Sequence, residues 1–177
     1  MRKFLIVICL ILVFFLLYFL QIGPLSDLTI AGIKPNIFVI FILFIGLYAN
    51  EVFGISFGVF CGLFLDLLYG KTIGVSAIML CIIGYLGAYF DKNFSKENKF
   101  TIIVMVAGAT LIYEFGSYFL SSLLLNFTRE YLSFAKIVGI EVLYNVLLSI
   151  LLYPIIQKAG YVIDRNIKKN NILTRYF

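Results

Sequence analysis

Six apolar runs divide the chain: Phe4–Leu20, Pro35–Ala49, Phe53–Gly70, Thr72–Phe90, Thr101–Leu125 and Lys136–Gln157. A helix that crosses a bilayer needs about 20 apolar residues and must satisfy its own backbone hydrogen bonds, because lipid offers none. Five of the runs meet that length. The second is short and reaches it only by recruiting Ile30–Lys34, with Pro35 in the first helical turn and Asn36 following; the alternative is a tilted or re-entrant half-span. Composition agrees, with 63% hydrophobic and 13% charged residues, where soluble domains carry about 25% charged. The expected fold class is all-α, a polytopic membrane protein built as a six-transmembrane-helix bundle. Residues 1–177 read as a single membrane domain, leaving no block of ordinary composition for a soluble catalytic or receptor domain.

The start Met1-Arg2-Lys3 followed by Phe4–Leu20 resembles a secretory signal, but the run exceeds the usual 7–15 residues, and Gln21-Ile22-Gly23-Pro24 offers no small-x-small cleavage site. An uncleaved first helix is expected. With six spans both termini share a side. That side receives ten of the 14 basic residues (Arg2, Lys3, Lys92, Lys96, Lys99, Lys158, Arg165, Lys168, Lys169, Arg175), and the other receives Lys34, Lys71, Arg129 and Lys136. Lysine and arginine favour the cytoplasmic side, so the expected location is a bacterial cytoplasmic membrane with both termini inside. The net charge of +5 is then a matter of orientation and of attraction to anionic lipid heads, not of nucleic-acid binding. Residues 158–177 form a basic cytoplasmic tail that extends the last helix along the inner surface or docks a cytoplasmic protein.

The chain has no histidine, which removes the commonest metal ligand and the usual proton-transfer group. Cys9, Cys61 and Cys81 lie inside apolar runs without ligand spacing and read as small packing residues. No nucleophile–base pair, phosphate loop or metal cluster stands out. Neither a catalytic residue nor a cofactor or metal is therefore expected, and the reading is non-enzymatic.

Inside the spans, Gly54, Gly58, Gly62, Asp66 and Gly70 recur every four residues and form one ridge. Stacked glycines let a neighbouring backbone approach closely, whether that neighbour belongs to this chain or to a partner. Asp66 continues the ridge near the outer end, either tying down the turn that follows or pairing with Lys71 there, or touching a ligand or partner. Thr110, Glu114, Ser117, Tyr118, Ser121 and Ser122 share one face of the fifth span. Glu141, Asn145 and Ser149 share one face of the sixth. Both faces are expected to point into the bundle. With no lysine or arginine at comparable depth, the carboxyls are either hydrogen-bonded in neutral form or line an outward polar cavity for a ligand or a partner's basic residue.

The stretch Ile33-Lys34-Pro35-Asn36-Ile37, then Tyr48-Ala49-Asn50-Glu51-Val52-Phe53-Gly54, then Gly58, Gly62 and Leu65-Asp66-Leu67-Leu68-Tyr69-Gly70 with Ile73-Gly74-Val75, resembles the rod shape-determining protein MreD family. The resemblance covers the chain in length and span count, its motif residues 33–75, and its matched positions are Lys34, Pro35, Asn36, Gly54, Gly58, Gly62, Asp66 and Gly70. It implies a membrane scaffold of the bacterial elongation complex (elongasome) that maintains cell shape by regulating peptidoglycan synthesis. The partners it implies are MreC, the actin-like MreB, the glycosyltransferase RodA and a class B penicillin-binding transpeptidase. It brings no catalytic residue with it.

A rival resemblance is to the substrate-binding S component of an energy-coupling-factor vitamin transporter, of similar length, span count and overall architecture. There Glu114, Tyr118, Glu141 and Asn145 would line a vitamin pocket. Such subunits usually carry small residues four apart on the first helix, and Phe4–Leu20 contains no Ala, Gly or Ser. A channel or proton-coupled transporter has less support, since no internal duplication or broken helix pair is visible.

Overall fold

The computed structural model describes residues 2–69, 72–94, 98–125 and 131–167. They form seven helical segments and no strand: α1 Arg2–Ile22, the short α2 Pro24–Asp27, α3 Ile37–Tyr48, α4 Glu51–Tyr69, α5 Val75–Asn93, α6 Lys99–Leu125 and α7 Tyr131–Ile167. Five are long and apolar enough to cross a membrane. Gly70 and Lys71, together with Lys96, Arg129, Lys168, Lys169 and Arg175, lie outside the described residues.

The exception, α3, organises the rest. Its 12 residues span about 18 Å at 1.5 Å per residue, against a hydrocarbon core of about 30 Å. Eleven of them are buried, so the helix is sheathed by protein instead of lipid. The chain nevertheless changes face across it. Its N-terminal end lies beside the end of α1, where the Gln21 amide donates to the Pro35 carbonyl at 2.7 Å. At its other end Tyr48 packs against Tyr161 of α7, and α4 starts within reach of the end of α5, where Lys92 meets Glu51 at 3.2 Å. Extended backbone at residues 33–36 supplies the missing length by dipping into the bundle.

That dip corrects the expected first turn. Pro35 is not in the helix; Asn36 is the N-cap, its side-chain oxygen accepting from Val39 N at 3.4 Å. The Asn36 N–H donates instead to Asn145 Oδ1 at 2.8 Å, so both polar groups of the Pro35–Asn36 peptide are committed to other helices before α3 begins. The approach is set by a tight reversal in which Ile30 and Ile33 exchange both backbone hydrogen bonds. Its two central residues, Ala31 and Gly32, have φ of 53° and 78°, a left-handed turn that suits glycine and is uncommon for alanine.

Three backbones meet around α3. A Cβ built on Gly46 of α3 would collide with the Gly84 carbonyl of α5; one on Gly54 of α4 would meet both Gly84 and Gly46; one on Gly87 would strike the Leu43 carbonyl. Further along, Gly58 faces the Leu80 carbonyl and Gly62 faces Ala77. The glycine ridge of α4 is thus occupied along its length by α5 of the same chain. Because helices in lipid gain nothing from hydrophobic exclusion, such close approach is the main source of packing energy.

The outer elements are looser. α1 is peripheral, turning Leu10 and Phe14 inward while Phe4, Leu12, Leu16 and Phe19 face outward; its rings reach α4 through Phe14–Phe64 and Tyr18–Phe64 edge contacts. α6 and α7 run antiparallel, Lys99 opposite Gln157 and Thr110 opposite Asn145. α7 is 37 residues long and outruns the apolar stretch at both ends. Phe134, Val138, Glu141, Asn145, Ser149, Tyr153, Gly160 and Ile167 form its buried stripe, and Gly160 sits against the Tyr48 ring.

Gly58→Ala and Gly84→Ala each push a methyl into a neighbouring backbone and are expected to destabilise the bundle by at least the 1–3 kcal/mol typical of overpacking. The same change at Gly108 or Gly139, where a Cβ meets nothing within 4 Å, should leave the thermal melting of detergent-purified protein unchanged or slightly raised.

Candidate functional site

Where the second, third, fifth and sixth spans come together at the end opposite Lys92 and Arg165, the polar side chains of the chain are assembled. Asp66, 5% exposed, lies in the last turn of α4, yet its carboxylate serves the next helix. It accepts from Gly74 N at 2.8 Å, Ser76 N at 3.1 Å and Ala77 N at 3.2 Å. These are the unpaired donors at the start of α5, where a negative charge is also favoured by the helix dipole. Gly74, at φ 102°, provides the left-handed bend that swings those N–H groups toward Asp66.

A second set of bonds ties four helices at one level. Gln21 of α1 holds the Pro35 carbonyl and accepts from Ile37 N at 3.4 Å. Asn145 of α7, fully buried, accepts from Asn36 N and donates to Thr110 Oγ1 of α6 at 3.1 Å; Thr110 in turn donates to the Val106 carbonyl at 2.9 Å. The Pro35 carbonyl and the Asn36 N–H, which the dip brings inside, are each answered by a side chain from another helix, as buried polar groups require.

Above this floor a cavity of about 470 Å³ is lined by Gln21, Ser26, Lys34, Pro35, Asn36, Tyr69, Ser76, Tyr113, Glu114 and Glu141, with Ile22, Phe38 and Leu65 as its apolar wall. Glu141, 7% exposed, meets the side chains of Glu114 and Asn36, and Tyr113 meets Ser76 and Asn36. Lys34 is exposed at the rim, its ammonium donating to Ser26 Oγ at 2.6 Å. Sequence counted Lys34 on the outer side without joining it to the carboxyls; the dip carries it to the mouth of their cavity. Two adjacent carboxyls below a single ammonium make an acceptor-rich floor suited to a group with several N–H donors, a guanidinium or an ammonium.

The remaining candidates fall elsewhere. Tyr118 stacks on Phe134, with ring centroids 4.4 Å apart, and does not line the cavity. Ser117 and Ser121 are half-buried along the α6–α7 seam, and Ser149 is fully buried, its hydroxyl bonded to the Val146 carbonyl at 2.8 Å. Gln21, Ser76 and Tyr113 belong to the site and were not singled out from the sequence. Gln21 carried a signal, as the one polar residue closing an apolar run; Tyr113 sits beside Glu114 but off the polar face as counted. No group of His, Cys, Asp and Glu suited to a metal occurs among the described residues.

The family model for rod shape-determining protein MreD matches residues 1–159 of the 177. The chain belongs to the MreD family. The match spans α1 to α6 and most of α7, so the cavity, the Asp66 cap and the glycine contacts among α3, α4 and α5 all lie within the MreD region. MreD is a shape-determining family and not an enzyme family. Membership places the chain in rod shape determination, as a multi-pass membrane protein associated with that machinery. No curated protein and no solved structure matches the chain.

Asn145→Leu leaves the Asn36 N–H without its acceptor and the Thr110 oxygen without its donor, and should cost about 1–3 kcal/mol, read as a lowered melting temperature of purified protein. Asp66→Ala removes all three acceptor contacts at the start of α5. A loss of similar size is expected, with hydrogen exchange rising first at Gly74, Ser76 and Ala77.

Proposed function

We propose that the chain is a non-enzymatic scaffold of the bacterial elongation complex, joining MreC and MreB to RodA and a class B transpeptidase so that wall synthesis follows the cytoskeleton. The setting is a bacterial cytoplasmic membrane with both termini inside. The reading is carried by the cavity. It is open on the face opposite the basic one, acceptor-rich at its floor, and assembled from residues 33–36 together with α1, α4, α5, α6 and α7. On this reading it receives a basic residue of MreC as that single-span protein leaves the membrane. The glycine ridge, being filled by α5, holds the bundle together and is not the partner surface. The opposite face, with Lys92, Lys99, Lys158 and Arg165 exposed, is left for MreB and the lipid surface.

The test pairs an interaction with a phenotype. Glu114→Gln with Glu141→Gln keeps the side-chain shape and removes the charge. In cells dependent on this protein, it should cut co-purification of MreC at least fivefold at normal protein levels, and rods should round up. Undiminished MreC recovery with rod shape intact would remove the cavity from the partner interface. A small molecule released on denaturing the purified protein, seen by mass spectrometry, would instead move the assignment to the vitamin-binding reading.

A further inference from the structure

A second cavity lies at the other end of the molecule and is built on different chemistry. Between the start of α6 and the second half of α7 the two helices do not close on each other. They leave a space of about 390 Å³ walled by Ile102, Ile103, Ile150 and Pro154, with Ser149 and Tyr153 at its back and Lys99 and Gln157 at one end. That volume falls within the roughly 300–1,000 Å³ of ordinary ligand pockets. Pro154, inside α7, explains part of the gap. It has no N–H for the Ile150 carbonyl one turn back, and its ring keeps the helix from packing tightly there. The Ile150 carbonyl therefore lacks its ordinary helical donor.

The groove is graded along its length. Its wall of Ile and Pro lies at hydrocarbon depth, where an apolar space between helices is filled by hydrocarbon. Its polar end is set by Lys99, the first residue of α6 and exposed, opposite Gln157 and next to the exposed Lys158. Among the described residues, no acidic side chain lines the groove. The nearby Asp164 lies further along α7, facing Tyr48, and Glu51 is engaged with Lys92. A hydrocarbon channel that ends in positive charge at the membrane boundary complements one kind of molecule. Basic pockets between spans on the cytoplasmic side hold acidic head groups in the same way. The geometry points to a binding site for one anionic phospholipid, its acyl chain between Ile103 and Ile150 and its phosphate at Lys99. This site is independent of the outward cavity and of whatever that cavity receives.

Full-length protein, exchanged from detergent into mixed micelles holding equal amounts of phosphatidylglycerol and phosphatidylcholine, is examined by native mass spectrometry. One retained phosphatidylglycerol per chain is expected, favoured at least fivefold over phosphatidylcholine. Lys99→Gln should abolish the preference, and Ile150→Trp, which fills the groove, should reduce retention of both lipids. Lys99 and Ile150 are exposed, so neither change disturbs the core. Lys92→Gln, on the same face but outside the groove, should retain the wild-type preference. Equal retention of the two lipids by wild type, or an unchanged preference in Lys99→Gln, overturns the proposal. Displacement of the lipid by millimolar glycerol phosphate also overturns it, since the site would then be one for a free anion.

Discussion

The contact of three backbones at Gly46, Gly54 and Gly84 carries the rest of the molecule. A helix as short as α3 cannot hold its ends at both membrane boundaries, and an extended segment such as 33–36 cannot lie against lipid with its peptide groups open. Both are tolerable only inside a sheath of longer helices, and the sheath closes on α3 only because glycines remove the side chains that would keep α4 and α5 at ordinary distance. Once α3 is central and short, its N-terminal approach has to run inside the bundle, and the polar floor of Gln21, Asn36, Asn145 and Thr110 follows as the means of satisfying it.

The two cavities sit at opposite ends of the bundle and differ in chemistry. One forms where the short helix stops before the long ones do, leaving a polar space beside residues 33–36. The other lies between the start of α6 and the second half of α7, around Pro154.

Much of this was legible in the chain. Apolar run lengths gave the helices, because period and composition are local properties. The polar residues of the last span proved to be part of its buried stripe, since Glu141, Asn145 and Ser149 fall at the spacing of one helix face. The Gly54–Gly58–Gly62 ridge announced a close neighbour but could not name it; the answer lay in Gly46, Gly84 and Gly87, on helices whose glycines do not form so regular a ladder. The course of residues 33–36 was hidden for a related reason: their inward dip depends on two distant side chains, Gln21 and Asn145, that receive the Pro35–Asn36 peptide. Non-local compensation of this kind leaves no periodic trace.

The brevity of α3 also bears on how the protein is made. This helix leaves the ribosome before α4, α5, α6 and α7, the elements that enclose it, have been synthesised. On its own it is too short to hold a transmembrane position in lipid, and its polar approach would be stranded there. Its final seat therefore depends on chain still to come, and the second span to be translated is among the last to be fixed in place. A truncation after α4 would lack α5, which provides the Gly84 and Gly87 contacts, and α7, which provides Asn145. The N-terminal half of this molecule is consequently not a module that can be borrowed, swapped or expressed by itself.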